Sequence, residues 1–166
     1  NCCIGPHSTV LLRLRDIATL IDIDRTDLMT HQKPNFSKEA LSSRHALKLQ
    51  TASSDWKSFP ILKQNSFHAC AALDTDGQCT LFPHWPSACA RFPYALDAEN
   101  LEVFYSRRCD SFWIRPDAKE QVHAMRKAAV AAYNSRIKDQ LILAFAEKEL
   151  EELGLTRFLQ SPANPC

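Results

Sequence analysis

The hydrophobic pattern at the start of the chain changes from that of a strand to that of a helix. The apolar residues of segment 9–13 suit a short strand, whereas those of segment 15–23 recur at helical spacing. A second short helix is predicted over residues 26–31, because it begins with a threonine that can cap it and a proline follows its end. Leu47 and Leu49 alternate as they do in a short strand. This part of the chain is therefore predicted to combine short helices and short strands.

Residues 67–113 have an irregular pattern that sets them apart from the rest of the chain. They contain four of the seven cysteines, together with many aromatic residues and prolines. Asp76-Gly77 predicts a turn, and the prolines between residues 83 and 93 exclude one continuous helix. The segment is predicted to be compact and mostly irregular.

After Pro116 the pattern becomes helical. Asn134-Ser135 predicts a break between two helices, Gly154 suits a C-terminal cap, and residues 161–166 are predicted to form a loose tail. Each helix carries one apolar stripe, which must cover either the core or another protein. The first stripe comprises Val122, Met125, Ala129, Ala132 and Tyr133, and the second comprises Ile137, Leu141, Phe145 and Leu150.

These patterns predict an α+β fold. A small irregular cysteine-rich core with short strands and helices is expected over residues 1–115, as one metal-binding unit, followed by a C-terminal helical extension and tail over residues 116–166. A chain of 166 residues can bury a hydrophobic core without covalent cross-links.

Composition and charge exclude several classes of protein. Three glycines are too few for the phosphate-binding loops of nucleotide-binding proteins. A formal net charge of +1 gives no broad attraction to nucleic acid, so no nucleic-acid partner is expected. No uncharged run approaches the roughly 18 residues of a membrane span, so no membrane span is expected.

Seven cysteines are the chemically informative feature of the composition. Thiolates that converge from separate loops can bind zinc or carry an iron–sulfur cluster. Their spacing alone leaves two alternatives open, a disulfide framework and buried thiols that act as small hydrophobic groups. His7, His68 and His84 lie near cysteines, although an ordinary loop histidine is the commoner outcome. No local signature of a cysteine protease surrounds any of the thiols.

Several short motifs follow one another in a recognisable order along residues 1–113. They are Cys2-Cys3, Asp16-Ile17 after an apolar strand, Cys70-Ala-Ala-Leu73, Gly77-Gln-Cys79, Pro86-Ser-Ala-Cys89, Phe92-Pro93 and a trailing Cys109. In this order and spacing the chain resembles the zinc- or iron-chelating cysteine-cluster family, the YkgJ-like proteins. The family pattern opens with Cys-x-x-Cys, which we expect to lie upstream of residue 1.

The resemblance implies a metal site made of thiolates. The metal would be zinc or iron, either mononuclear or as an iron–sulfur cluster, and Cys166 lies outside the pattern. Three positions depart from the family, because Phe82 stands in place of tyrosine, and Trp85 and Ala90 each stand in place of arginine. The ligands that the resemblance implies are Cys2, Cys3, Cys70, Cys79, Cys89 and Cys109.

We therefore expect a metal-binding protein that serves as a structural or accessory component of a larger assembly, with its C-terminal helices contacting other protein subunits. Thiolate ligands imply a reducing compartment, either the cytoplasm or an organelle interior such as stroma or matrix. One alternative is an enzyme related to the flagellin lysine N-methylases, which resemble the family in their cysteine motif and would use a cluster and a methyl donor. Another is a redox or metal-delivery protein. Catalysis is the less favoured expectation, since the chain has no recognisable methyl-donor domain.

Overall fold

The protein has the α+β fold that its sequence predicts. A computed structural model describes residues 3–4, 9–31, 48–50, 56–97, 100, 102–105 and 119–159, with the backbone alone for residues 48–50, 56–58 and 105. Within these residues there are four α-helices and three two-stranded antiparallel pairs of strands.

Helix α1 spans Leu14–Asp22, close to its predicted position. It buries Leu14, Ile17 and Leu20, whose spacing places them on one face. The second predicted helix, over residues 26–31, is wrong. A single 3-10 turn at Thr26–Leu28 is followed by strand β1, Met29–Thr30, because the backbone there pairs with another strand instead of with itself.

The three strand pairs are short. β1 pairs with β4, Ile61–Leu62, and β2, Lys48–Gln50, pairs with β3, Trp56–Ser58, which confirms the strand predicted around Leu49. β5, Tyr94–Asp97, pairs with β6, Glu102–Tyr105.

The strand predicted over residues 9–13 is an extended segment that lies beside β4. The N–H of Leu12 donates to the Pro60 carbonyl at 3.0 Å, and the N–H of Leu62 donates to the Val10 carbonyl at 3.0 Å. Leu11 forms an isolated bridge with Ile61. The segment therefore leads directly from this pairing into the first turn of α1.

The described residues 67–97 of the cysteine-containing segment lie mainly in turns, as the sequence predicts. At the predicted turn Gly77 has a φ of +74°, which glycine adopts without steric cost, and its N–H donates to the Asp74 carbonyl at 3.1 Å. The Asp74 carboxylate accepts from the N–H groups of Asp76 and Gln78, which fixes the loop locally. Helix α2, Ser87–Arg91, is a short helix among the prolines of this segment.

The C-terminal helix α3 runs without interruption through Lys119–Phe145, so the break predicted at Asn134-Ser135 is wrong. Both residues are modest helix formers, but their propensity cost is a few tenths of a kcal/mol each, which packing along the helix easily exceeds. The interruption comes instead at Ala146, and α4 follows at Glu147–Glu152.

Gly154 ends α4 in the way its sequence predicts. It has a φ of +68° and donates its N–H to the Glu151 carbonyl at 2.8 Å, while the N–H of Leu155 donates to the Leu150 carbonyl at 2.9 Å. These two bonds form a Schellman motif, and the buried side chains of Leu150 and Leu155 accompany it. A second 3-10 turn, Thr156–Phe158, follows.

One hydrophobic cluster joins the two parts of the chain. Leu143, Leu150, Leu155 and Leu159 pack in the same cluster as side chains of α1, β1, β4 and the cysteine loops. His31 Nε2 also lies 2.8 Å from the Phe158 carbonyl oxygen. The division into residues 1–115 and 116–166 stays a prediction.

The two predicted apolar stripes of the C-terminal helices differ in outcome. In the first, Met125 and Ala129 are buried. In the second, Leu150 is buried, whereas Ile137, Leu141 and Phe145 are exposed and the neighbouring side chain of Leu143 is buried. In the part of the chain that the structure describes, no helix combines the length and apolar character that crossing a membrane requires.

Candidate functional site

Cys3 and Cys70 lie on neighbouring segments of backbone. The Cys70 N–H donates to the Cys3 carbonyl at 2.8 Å, and Ile4 forms an antiparallel bridge with Ala69. Cys70 is buried in the hydrophobic cluster, and Cys3 is half-buried against it. The fold therefore brings together two cysteines that are far apart in the sequence.

Cys79 belongs to the same folded loop as Cys70. Leu73 connects them, since its N–H donates to the Cys70 carbonyl at 3.1 Å and it forms an antiparallel bridge with Cys79. Cys79 is half-buried against the core cluster. Three of the candidate ligands are thus linked through short stretches of paired backbone.

Cys89 lies on α2, whose position is fixed by a carboxylate of α1. Asp16 is 5% exposed, and its Oδ1 accepts from the backbone N–H of Ser87 at 2.9 Å and from the Ser87 hydroxyl at 2.8 Å. Its Oδ2 accepts from the Arg13 N–H at 2.9 Å, at the start of its own helix. One buried side chain therefore holds the first turns of α1 and α2 together.

The described residues alone do not complete a metal site. Cys3, Cys70, Cys79 and Cys89 are present as thiols. Among residues 3–4, 9–31, 56–97, 100, 102–105 and 119–159, no three His, Cys, Asp or Glu side chains group closely enough to hold a metal ion. The other candidates, Cys2, Cys109 and His7, together with Cys166, lie outside the described residues.

The remaining residues that the sequence singled out near the cysteines lie at the surface. His68 and His84 are exposed. Phe82 and Trp85, two of the departures from the family pattern, are exposed and contact each other edge to face, with ring centroids 5.1 Å apart. The third departure, Ala90, is exposed, and the neighbouring Arg91 lines a cavity.

This cavity, the arginine cavity, has a volume of about 240 Å³ and lies between the start of α1, α2, β5 and α3. Three arginines line it, one from each of the three helical regions. Its remaining wall is largely apolar, with one hydroxyl from Ser87 and one phenol from Tyr133. The charged lining residues are Arg13, Arg91 and Arg136, and the apolar ones are Leu11, Ala88, Ala95, Leu96, Ala129 and Ala132.

Burial perturbs the charged groups around the arginine cavity. It lowers the pKa of Arg13 and of Arg91, because desolvation disfavours the charged guanidinium. Beside Arg13, Asp139 of α3 is 3% exposed, and burial raises its pKa to about 6. Its Oδ2 lies 3.9 Å from Nη1 of Arg13, and the positive charge of Arg13 opposes this rise in the pKa.

The sequence analysis did not identify this cavity. Arg13 stands between Leu12 and Leu14, whereas Asp139 lies between Lys138 and Gln140 in a mixed stretch of α3. At Arg13 the available signal was a charged residue inside an apolar run. It shows that the residue needs a partner, but it does not show which distant segment provides one.

Comparison with protein families, with curated proteins and with solved structures finds no match. The elements of the structure define an α+β protein with a cysteine-bearing core and C-terminal helices. The resemblance to the YkgJ-like family stays a prediction.

The raised pKa of Asp139 predicts that Asp139→Asn stabilises the protein at neutral pH. Between the ordinary pKa of an aspartate and about 6, the native state binds more protons than the unfolded state, so stability falls as pH rises through this window. Arg13 and Asp16 face the carboxylate from α1. The substitution removes the free-energy cost of burying a charged carboxylate. We expect a gain of about 2 kcal/mol in unfolding free energy at pH 7.5 and little gain at pH 4.5.

Urea unfolding at the two pH values measures this difference. Asp76→Asn, at an exposed loop carboxylate, is the matched control and is expected to change stability by less than about 0.5 kcal/mol at either pH. A loss of stability in Asp139→Asn at pH 7.5 would show that the pairing with Arg13 outweighs the cost of burial.

Proposed function

We propose that this protein is a metal-binding cysteine-cluster protein that holds zinc or iron and acts as a structural or accessory component of a larger assembly. The observation that carries the proposal is the backbone pairing of Cys3 with Cys70, at 2.8 Å between the Cys70 nitrogen and the Cys3 oxygen. Thiolate sites are commonly assembled from separate short loops in this way.

The positions of the other cysteines support the proposal. Cys79 follows in the same loop as Cys70, and Cys89 lies on a helix that Asp16 fixes against α1. Since the described thiols do not form a complete ligand set, Cys2 and Cys109 would have to contribute. The cysteines must stay reduced in order to bind a metal as thiolates, so we expect the protein to work in a reducing compartment.

The exposed side chains of α3 support an accessory role. Ile137, Leu141 and Phe145 recur every four residues and form one apolar face of the helix, with 52% of Leu141 and 83% of Phe145 exposed. Apolar side chains that follow one another along a helix at this exposure are typical of surfaces that bind another protein. We propose that other protein subunits contact this face.

Elemental analysis and an absorption spectrum of the full-length protein, purified without oxygen, test the proposal. We expect stoichiometric zinc with no visible band, or stoichiometric iron with sulfide and a broad visible band. Cys79→Ser is expected to lose most of the bound metal, because a neutral hydroxyl is a poor substitute for a thiolate ligand. Cys79 is suited to this test because it is only half-buried, which limits the loss of packing.

Cys166→Ser is the matched control, since Cys166 lies outside the cysteine pattern, and it is expected to keep the full metal content. A metal-free native protein whose thiols all react with a thiol reagent would contradict the proposal. Equal metal loss in the two variants would contradict the assignment of the ligands.

A further inference from the structure

The exposed face of α3 has the spacing of a surface that packs against another helix. Val130 is 41% exposed and Asn134 is exposed, so the face begins before Ile137. From Val130 to Leu141 its residues follow one another at steps of four, three and four, which is typical of the seam between two paired helices. We refer to these side chains as the α3 face, which comprises Val130, Asn134, Ile137, Leu141 and Phe145.

The two ends of the α3 face carry opposite charge. Arg126 and Lys127 are exposed about one turn before the face begins. Beyond its other end, helix α4 reads Glu-Lys-Glu-Leu-Glu-Glu, in which four carboxylates outnumber one lysine, and Glu151 and Glu152 are exposed. Within the described part of the chain, none of these four named side chains forms an ion pair. Their charges are therefore available to a partner.

This distribution of charge makes the α3 face complementary to a second copy of itself. When two copies of α3 pack antiparallel about a twofold axis, the basic end of each copy lies beside the acidic end of the other. A parallel pair would place like charges together at both ends, and a partner of uniform charge would be repelled at one end.

The apolar and the charged residues agree on the position of the axis. An axis midway between Ile137 and Leu141 brings Ile137 of each copy to Leu141 of the other, at the centre of the face. Along the chain the same position is also midway between Arg126 and Glu152. One register therefore matches the apolar side chains and the charged ends together.

We propose that the α3 face binds a second copy of this chain as an antiparallel helix pair. This inference rests on the proposed function only in naming the subunit that contacts α3, and it does not depend on a bound metal. Because the face is one helix wide, we expect a weak dimer with a Kd of roughly 10–100 µM. Such a dimer is dissociated at the lower protein concentrations used in unfolding measurements.

Sedimentation velocity of the full-length protein under reducing conditions tests the proposal. As the concentration rises from about 1 µM to about 1 mM, we expect the average mass to rise from that of one chain towards that of two. Leu141→Asp is expected to weaken the dimer at least about tenfold, because it places a charge in the apolar contact. Phe67→Asp is the matched control, since Phe67 is 82% exposed in a turn outside α3, and it is expected to dimerise fully.

Charge reversal tests the direction of the pair and uses exposed positions only. Arg126→Glu combined with Lys127→Glu places like charges opposite each other in an antiparallel pair and is expected to weaken it about tenfold. Adding Glu151→Lys and Glu152→Lys to the same chain makes the two ends opposite in charge again, so it is expected to restore the original Kd. A parallel pair would not be weakened by the first change.

The outcomes separate this proposal from that of the metal site. A chain that stays monomeric over the whole range would overturn the dimer and leave the α3 face to a different protein, whereas the metal content of the same sample reports on the cysteines alone. Full dimerisation of Leu141→Asp would overturn the assignment to the α3 face. An unchanged Kd after reversal of the basic end would overturn the antiparallel arrangement.

Discussion

Replacing Asp16 by alanine is expected to lower the free energy of unfolding by about 4 kcal/mol. The carboxylate accepts three hydrogen bonds, two from Ser87 and one from the Arg13 backbone, at 2.8–2.9 Å. Removing it leaves the backbone N–H groups of Arg13 and Ser87 without their acceptor, and hydrogen bonds to a charged group are worth about 1.5–3 kcal/mol each. Urea unfolding followed by far-UV circular dichroism measures the loss.

Asp22→Ala is the matched control, because Asp22 is an exposed aspartate of the same helix, and we expect it to change stability by less than about 0.5 kcal/mol. Ser87→Ala removes only the hydroxyl partner and is expected to cost about 1 kcal/mol. Equal stability of Asp16→Ala and Asp22→Ala would show that Asp16 does not hold α1 and α2 together.

Replacing Leu143 by alanine is expected to cost about 3 kcal/mol. Leu143 has 0% of its surface exposed and packs in the hydrophobic cluster that also contains Leu12 and Ile17. Truncating a fully buried leucine loses its transfer free energy and leaves a cavity, and such changes typically cost 2–5 kcal/mol. Thermal and urea unfolding should both report the loss.

Leu141→Ala gives the comparison for this variant, since Leu141 lies two residues away on α3 and is 52% exposed. We expect its effect to be smaller than about 0.5 kcal/mol. A larger loss in Leu141→Ala than in Leu143→Ala would mean that α3 turns its other face to the core.

The sequence predicted the elements whose signals are local. Ile17 and Leu20 define one face of α1, Gly77 permits the turn, and Gly154 permits the C-terminal cap, because each depends on residues within one or two turns. The predicted helix at residues 26–31 failed because β1 pairs with β4, which follows about thirty residues later.

The buried face of α3 could not be predicted in the same way. Leu141 and Leu143 are identical in chemistry, and an apolar spacing of four residues describes an exposed face as well as a buried one. The rotation of the helix depends on packing against β5 and α2 and on the position of Asp139 beside Arg13. These are contacts between distant segments, and a local sequence pattern does not predict them.

The cysteines of the candidate site stay a prediction as a set, and the sequence could not predict how they are arranged. The resemblance proposed which thiols belong together, and the pairing of Cys3 with Cys70 depends on a backbone contact between distant segments. The arginine cavity had no motif at all, since Arg13, Arg91 and Arg136 come from three separate elements.

The order in which the core residues follow one another along the chain has a consequence for synthesis on the ribosome. Leu155 and Leu159 follow the Schellman motif at Gly154 and complete the hydrophobic cluster that α1 begins. Because the amino-terminal part emerges first, its apolar surfaces lack part of their native cover until these leucines leave the exit tunnel. The core therefore closes only after residues 143–159 have emerged, and until then the nascent chain leaves part of the hydrophobic surface of α1 uncovered.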